Sequence, residues 1–424
     1  MCRSMRRCSG IWPGWANEPA GNARAAWAPA PPRFAGMIDE KVMEIADELA
    51  ELQRGAEILE GEGKSITWDQ EHGDELMCNL KGPLQIPWMY SRKCIFSCSH
   101  CYNFSDTDLE EKDNADLGLM IERIGECQPY NVCLCGGEPL AWDPLFETVA
   151  RLRDRGVPLV SIVTNGYLAS RDALARLRDH GLTTIQFSVD GIDAESHAEL
   201  RKVPDSFEKA LRAVEDALTI SWQDLSVCMT PTRRNIGQAK DYIRMFAEMG
   251  VRHIRFQPYM PLGRGALNAA QLQPSDEAYL KFHFDLYDAQ VAWPDIFVDW
   301  GDPLEHLWFY SFTEANCWST GISPNGWLEL SPYIPVRLGD IKAHRIEDIW
   351  AKGIKTLWHS PLVRRLAGHV YCTDALADQE VDVFKEPPLH IDVFDPPQWE
   401  ALMTTDDLDV FRRFTASNLA AGSA

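Results

Sequence analysis

Cys94, Cys98 and Cys101 stand in Lys-Cys-Ile-Phe-Ser-Cys-Ser-His-Cys-Tyr, a C-x3-C-x2-C spacing that places three thiols within eight residues. Three thiolates on one short loop point to metal ligation, because soft sulfur suits iron–sulfur clusters and zinc. A four-iron cluster held by only three of them keeps one iron without a protein ligand. An open metal position is where chemistry is done, whereas a fully ligated cluster carries electrons or staples a fold. Zinc is the plainer alternative. It would take a fourth ligand close by, and His100 is adjacent, but a His directly before a ligand Cys has to strain the loop to reach the same ion. The spacing favours iron–sulfur.

Ligands on a loop need elements that hold the loop in place. Pro83-Leu-Gln-Ile-Pro-Trp-Met-Tyr90, just ahead of the cysteines, predicts a first strand. Apolar runs at 131–135, 158–163, 183–189, 225–230 and 252–258 predict buried strands, and segments near 115–127, 144–155, 170–180, 206–219 and 236–249 predict the helices between them. Such alternation builds a parallel sheet covered by helices. Six β units fall short of the eight of a closed barrel. The expected fold class is therefore α/β, a partial (β/α)6 TIM-like barrel with a smaller irregular C-terminal domain. Active sites of this architecture lie at the C-terminal ends of the strands, where the cysteine loop is expected.

The polar residues at the strand ends follow an order. Gly136-Gly137-Glu138-Pro139 closes the second strand, Thr164-Asn165-Gly166 the third, and Ser188-Val-Asp190-Gly191 the fourth. Arg201 and Asn235 follow, and Pro261-Leu-Gly263-Arg264-Gly265 comes after the sixth. Alone, each is an ordinary turn, a strand-to-helix connection or a solvated helix charge. As a set, with C-x3-C-x2-C after the first strand and a ring residue before the third Cys, they resemble the radical S-adenosylmethionine (SAM) superfamily over roughly residues 84–265. The resemblance implies a [4Fe-4S] cluster on Cys94, Cys98 and Cys101, with SAM chelating the open iron through its amino and carboxylate groups. It implies that Gly136 and Gly137 let backbone approach that ligand and that Glu138 accepts from its ammonium, with Pro139 completing the element. It implies further that His100 offers a planar face to adenine, and that Thr164, Asn165, Ser188, Asp190 and Arg201 serve the ribose or carboxylate. The activity implied is reductive cleavage of SAM followed by hydrogen-atom abstraction from a substrate, with a flavodoxin- or ferredoxin-type electron donor.

Beyond residue 270 the rhythm breaks and tryptophans accumulate. Cys317-Trp-Ser-Thr-Gly-Ile-Ser-Pro-Asn-Gly326 and the residues that follow resemble the start of a SPASM or twitch domain, whose cysteines hold auxiliary clusters. Ser331 stands where that family has a Cys, and only Cys372 remains of the later cysteine group. Two thiolates do not hold a cluster securely, so Cys317 and Cys372 are either a remnant ligand pair or buried thiols of an aromatic core. The expectation is a degenerate domain that serves substrate binding. Cys135 and Cys228 carry a further alternative. They can return a hydrogen atom to a substrate radical, as a cavity cysteine does in the family's peptide epimerases, or they are small apolar residues of buried strands.

The expected organisation is a disordered extension over 1–36, with Met37 as the natural start, then a helical lead-in over 37–83. The barrel follows over 84–270, the SPASM-like domain over 271–375 and an acidic tail over 376–424. The net charge is −22 over 424 residues. The first 36 carry five arginines against Glu18, or +4, which leaves −26 for the remainder. Such a body lacks the basic footprint of a nucleic-acid binder, and no apolar run of membrane-spanning length occurs. Clustered cysteines without a signal peptide fit a reducing, cytoplasmic setting. Two substrate classes stay open: a ribosomal peptide, crosslinked or epimerised, or a small molecule such as an amino sugar or cyclitol that is dehydrogenated or epimerised. A non-catalytic cluster or zinc protein is the reading from a different class. It leaves the strand-end groups without a use.

Overall fold

The computed structural model describes residues 80, 82–106, 116–301, 304–313, 317–370, 372–378 and 388–421. The expected extension over 1–36 and the lead-in helix after Met37 lie outside the described residues.

The parallel strands run in chain order across one sheet. They are β1 (Gln85–Ser91), β2 (Asn131–Gly136), β3 (Leu159–Thr164), β4 (Thr184–Ser188), β5 (Asp224–Met229), β6 (His253–Phe256) and β7 (Phe297–Trp300). Helices return the chain between them: α1 (Leu117–Glu126), α2 (Leu145–Asp154), α3 (Arg171–Asp179), α4 (Ala194–Arg201), α5 (Ser206–Leu218), α6 (Ala239–Met249), α7 (Arg264–Leu272) and α8 (Asp276–Ala292). Local chemistry marks their ends. Ser170 caps α3 by accepting from the Ala173 N–H. α6 stops at Gly250, whose φ of 107° suits a residue without a side chain.

The partial α/β barrel is as expected, with one difference: among the described residues its run of successive parallel strands, β1 to β7, has seven members, not six. β7 escapes a reading of periodicity because it is only four residues long and its preceding helix is not cleanly amphipathic. α8 buries Phe282, Leu286 and Ala289 but leaves Leu280, Tyr287 and Val291 in solvent.

The sheet does not end with the barrel. On the far side of β1 it continues through β8 (Gly321–Ile322), β9 (Trp327–Glu329), β10 (Val336–Asp340) and β11 (Leu389–Ile391). β8 and β9 form a hairpin over Ser323–Gly326, where the Ser323 hydroxyl accepts from the Trp327 N–H at 3.0 Å and Gly326 sits at φ 83°. The segment over 376–424, expected as an acidic tail, supplies β11 and the helices Pro396–Thr404 and Leu408–Ala421. Its acids lie mostly on outer faces while Ile391, Leu402 and Phe411 are wholly buried.

Register explains what the barrel encloses. Val132, Leu134, Val160, Ile162, Ile185, Phe187, Val227, Ile254 and Phe256 point outward under the helices and are buried in the main core. The alternate positions pair with one another across the sheet, Cys133 with Ser161, Gln186 with Ser226, Ser188 with Cys228, and Arg255 with Asp299. Side chains alternate along a strand, so this polar set shares the inner face.

Candidate active site

The inner face lines a cavity of about 460 Å³ that runs from the cysteine loop to the starts of the strands. Its size lies within the usual range for a small-ligand site. Cys94, Cys98, His100 and Cys101 line it together with Gly136, Gly137, Glu138, Thr164, Asn165, Ser188, Arg201, Cys135 and Cys228. Residues 94 to 228 are thus brought to one place. Asp190 stands directly behind this wall, Pro139 opens a short 3-10 turn beneath Glu138, and Cys317 and Cys372 lie away from the cavity.

The cysteine loop is held from three sides. Gly137 N–H donates to the Ser91 carbonyl at 2.8 Å and Glu138 N–H to the Lys93 carbonyl at 3.0 Å. A Cβ on Gly137 would fall 1.7 Å from the Lys93 oxygen, and one on Gly136 2.0 Å from the Ser91 oxygen. These glycines therefore let two protein backbones meet, a role additional to the ligand access inferred from the sequence. Arg264 clamps the opposite side, donating to the carbonyls of Cys98 (3.1 Å) and Ser105 (2.8 Å) and to Asp106 (2.8 Å). Asn268, one turn further along α7, donates to the Ser99 carbonyl at 2.8 Å, and the Ser99 N–H donates in turn to the Leu200 carbonyl at 2.9 Å.

Two buried acids organise the strand ends. Glu138 accepts from the Thr164 hydroxyl (2.6 Å), the Asn165 N–H (2.8 Å) and the Leu140 N–H (3.1 Å), joining the ends of β2 and β3. Burial raises its pKa, against the pull of these bonds. Its Oε2 carries one of the three bonds and retains acceptor capacity. Asp190, without solvent exposure, accepts from Arg201 Nε at 2.6 Å and from the Thr230 N–H at 2.9 Å, with His100 Nε2 at 3.3 Å. Burial would push its pKa up, but Arg201, His100, His197 and the Thr230 N–H bring it down to about 2. Asn235 fixes the backbone here, bridging the carbonyls of Asp190 and Thr230.

Burial lowers the pKa of His100 to about 4, so its ring is neutral near pH 7. With Nε2 turned to Asp190, its Nδ1 is a buried atom without a hydrogen-bond partner. An orphaned ring nitrogen, a glycine cradle and three loop thiols fit a cluster with a polar organic ligand beside it. Burial holds Cys94 near pKa 12 and Cys98 near 11 as free thiols, so metal binding would release protons there. Among the described residues no three His, Cys, Asp or Glu are grouped to hold a single metal ion. A cluster, whose thiolates bind different irons, does not require such a group.

Cys133 and Cys135 face the cavity two residues apart on β2. The Cys135 thiol donates to the Trp88 carbonyl at 3.6 Å; the proximity of the two sulfurs lowers the pKa of Cys133 and, with burial, raises that of Cys135. Burial raises Cys228 to about 12. Cys317 is buried and donates to the Ser319 carbonyl at 3.1 Å, and Ser331 bonds His306 at 2.9 Å. Among the described residues Cys317 and Cys372 are both free thiols.

The sequence reading missed the deeper wall. Gln186, Asp224, His253, Arg255 and Gln257 line the cavity beyond the cysteines. His253 Nδ1 lies 2.8 Å from Asp224, and Arg255 Nε 3.2 Å from Asp299. The signal was present: in Thr-Ile-Gln-Phe-Ser and His-Ile-Arg-Phe, polar residues alternate with apolar ones, which marks two different faces.

The sequence model of the Radical SAM superfamily matches residues 88–246, a span that begins within β1 and ends within α6. The mycofactocin maturase MftC of Mycolicibacterium smegmatis is 28% identical over 229 residues, 54% of this chain and 56% of that protein. An AdoMet-dependent heme synthase of Oleidesulfovibrio alaskensis is 27% identical over 194 residues, 45% of this chain and 50% of that protein. The chain thus spans about half the length of these curated relatives. Streptococcus suis SuiB bound to S-adenosylmethionine shares the fold at TM-score 0.57 and 13% identity, over 82% of this chain and 87% of that one. SuiB bound to the precursor peptide SuiA does so at 0.53 and 14%, over 74% and 80%. Among the described residues no helix is long and apolar enough to cross a membrane. The match to the radical SAM superfamily thus spans the strands whose loops carry the three cysteines and the strand-end acids.

Proposed function

We propose that this enzyme modifies a peptide by hydrogen-atom abstraction. The observation that carries the reading is the single cavity in which the three loop cysteines, the strand-end groups and a polar inner wall converge. Relatives named as a maturase, and a structural neighbour solved with a precursor peptide, support a peptide substrate. Bound on Cys94, Cys98 and Cys101, a [4Fe-4S] cluster supplies the electron that cleaves SAM reductively.

The chain's own residues supply the rest. Glu138, fixed by Thr164 and Asn165, offers an acceptor to an ammonium group. Ser188 and Arg201 offer donors to ribose or carboxylate oxygens, and His100 offers its ring face to adenine. Cys135 and Cys228 stand where a thiol could return a hydrogen atom to substrate. We assign no auxiliary cluster to the C-terminal part, because the Ser331 hydroxyl is engaged by His306 and by the Tyr333 N–H. A flavodoxin- or ferredoxin-type donor would deliver the electron.

One observation favours a second reading. Gln186, Asp224, Ser226 and His253 make the inner wall rich in hydrogen-bonding groups, which suits an amino sugar or cyclitol. The test is incubation of the reduced enzyme and SAM with the product of any short open reading frame beside this gene. A mass change in that peptide, with matching 5′-deoxyadenosine, supports the first reading. Release of 5′-deoxyadenosine accelerated by an aminocyclitol and by no peptide transfers the assignment to the second.

A further inference from the structure

Each thiol of the cysteine loop receives one N–H donor, and the three donors are not alike. The Phe96 N–H points to Cys94 Sγ and the Ser105 N–H to Cys101 Sγ, both at 3.4 Å. Cys98 Sγ has instead the Nη1 of Arg201, at 3.9 Å and 103 residues away in sequence. The first two donors are main chain of the loop itself. The third is a cation brought from the end of α4 and held through a different nitrogen by Asp190, with Nε to Oδ2 at 2.6 Å. The Arg201 side chain is 12% exposed and Asp190 wholly buried, so solvent screens this contact weakly.

We propose that Arg201, fixed by Asp190, is a positioning residue that sets the reduction potential of the cluster through the Cys98 sulfur. The proposal rests on the cluster reading above and goes beyond a SAM contact for Arg201. One-electron reduction adds negative charge to the cluster and its thiolates. A cation and N–H donor on a ligand sulfur stabilises the reduced form more than the oxidised form, which raises the potential. Asp190 offsets part of that charge but aims the guanidinium. Since the donors to Cys94 and Cys101 are backbone, Arg201 is the one of the three that a substitution can remove.

The test is a mediated redox titration of the full-length, anaerobically reconstituted protein, followed by the EPR signal of the reduced cluster. It is run without SAM, so that no contact of Arg201 with SAM enters. Arg201→Met is expected to lower the reduced-to-oxidised ratio at fixed potential about tenfold, or about 59 mV for one electron. Arg201→Lys keeps a cation beside Asp190 but lacks the fork that spans Asp190 and Cys98, and should lower the ratio about threefold. Wild-type potentials in both variants, at about four irons per chain, would overturn the proposal. Failure of both variants to assemble a cluster would overturn it too, assigning Arg201 to holding the loop. Wild type that holds no cluster at all would instead refute the functional reading on which it rests.

Discussion

Strands β3, β4 and β6 and strands β8 to β11 belong to one sheet but are buried differently. On β3, β4 and β6 burial alternates residue by residue, with Ile162, Ile185, Phe187 and Ile254 sealed while Ser161, Gln186 and Arg255 keep partial access to the cavity. On β8 and β11 every residue is buried, and on β10 the alternation of Val336, Arg337 and Leu338 breaks at Gly339. An alternating strand is a wall between a core and a chamber, whereas a continuously buried strand is packed on both faces. The difference teaches where to look for chemistry. Cys317 in the sealed part is a packed thiol beside Trp358. Cys94, Cys98 and Cys101 in the open part face space.

Substitutions at matched depth should break that contrast or sharpen it. Gly137→Ala should have the largest effect, since its Cβ would collide with the Lys93 carbonyl. The cysteine loop cannot close on β2 with that side chain present, and iron content after reconstitution should fall from about four per chain to near zero. Glu138→Gln comes next. The amide keeps one oxygen and sets its N–H group against either the Asn165 N–H or the Leu140 N–H, and denaturant unfolding should show a loss of about 2–3 kcal/mol. Cys317→Ala in the sealed part should cost about 1 kcal/mol by the same measurement and leave iron content unchanged. Iron lost from that variant would blur the distinction between the two parts.

The smallest effect is one of pH. Burial lowers the pKa of His253, but Asp224 and Asp299 more than reverse this and raise it from 6.5 to about 9. A raised histidine stabilises fully below its unfolded pKa and loses that contribution as pH rises through the folded value. The melting temperature of wild type should therefore exceed that of His253→Gln at pH 6, with the gap closing by about pH 10. Asp224 is substantially exposed, so screening keeps the contribution below about 1 kcal/mol. A gap that widens toward high pH would contradict the assignment.

Much of this contrast was legible in the sequence, and the reasons for the rest are physical. β2 to β6 all fall within a residue or two of expectation, because each is a largely apolar run bounded by turns. The strand-end residues could be placed at one mouth because parallel connectivity sends every strand's C-terminal end the same way. Three features were not legible. β7 follows a helix whose exposed Leu280, Tyr287 and Val291 hide its period. Residues 389–421 read as a tail because six acids are interspersed among the apolar residues that anchor them, Ile391 and Phe411 among them. The Arg264 clamp and the Arg201 contact to Cys98 join residues more than 100 apart, a proximity that only the folded sheet creates.

The central claim is that the open half of the sheet is a SAM-cleaving site built on Cys94, Cys98 and Cys101. The most direct measurement is release of 5′-deoxyadenosine by anaerobically reconstituted, reduced protein given SAM, compared with Cys98→Ala treated identically. The account predicts about four irons per chain and release at least about a hundredfold above the variant. Wild type that loads iron yet releases no more 5′-deoxyadenosine than Cys98→Ala would contradict it.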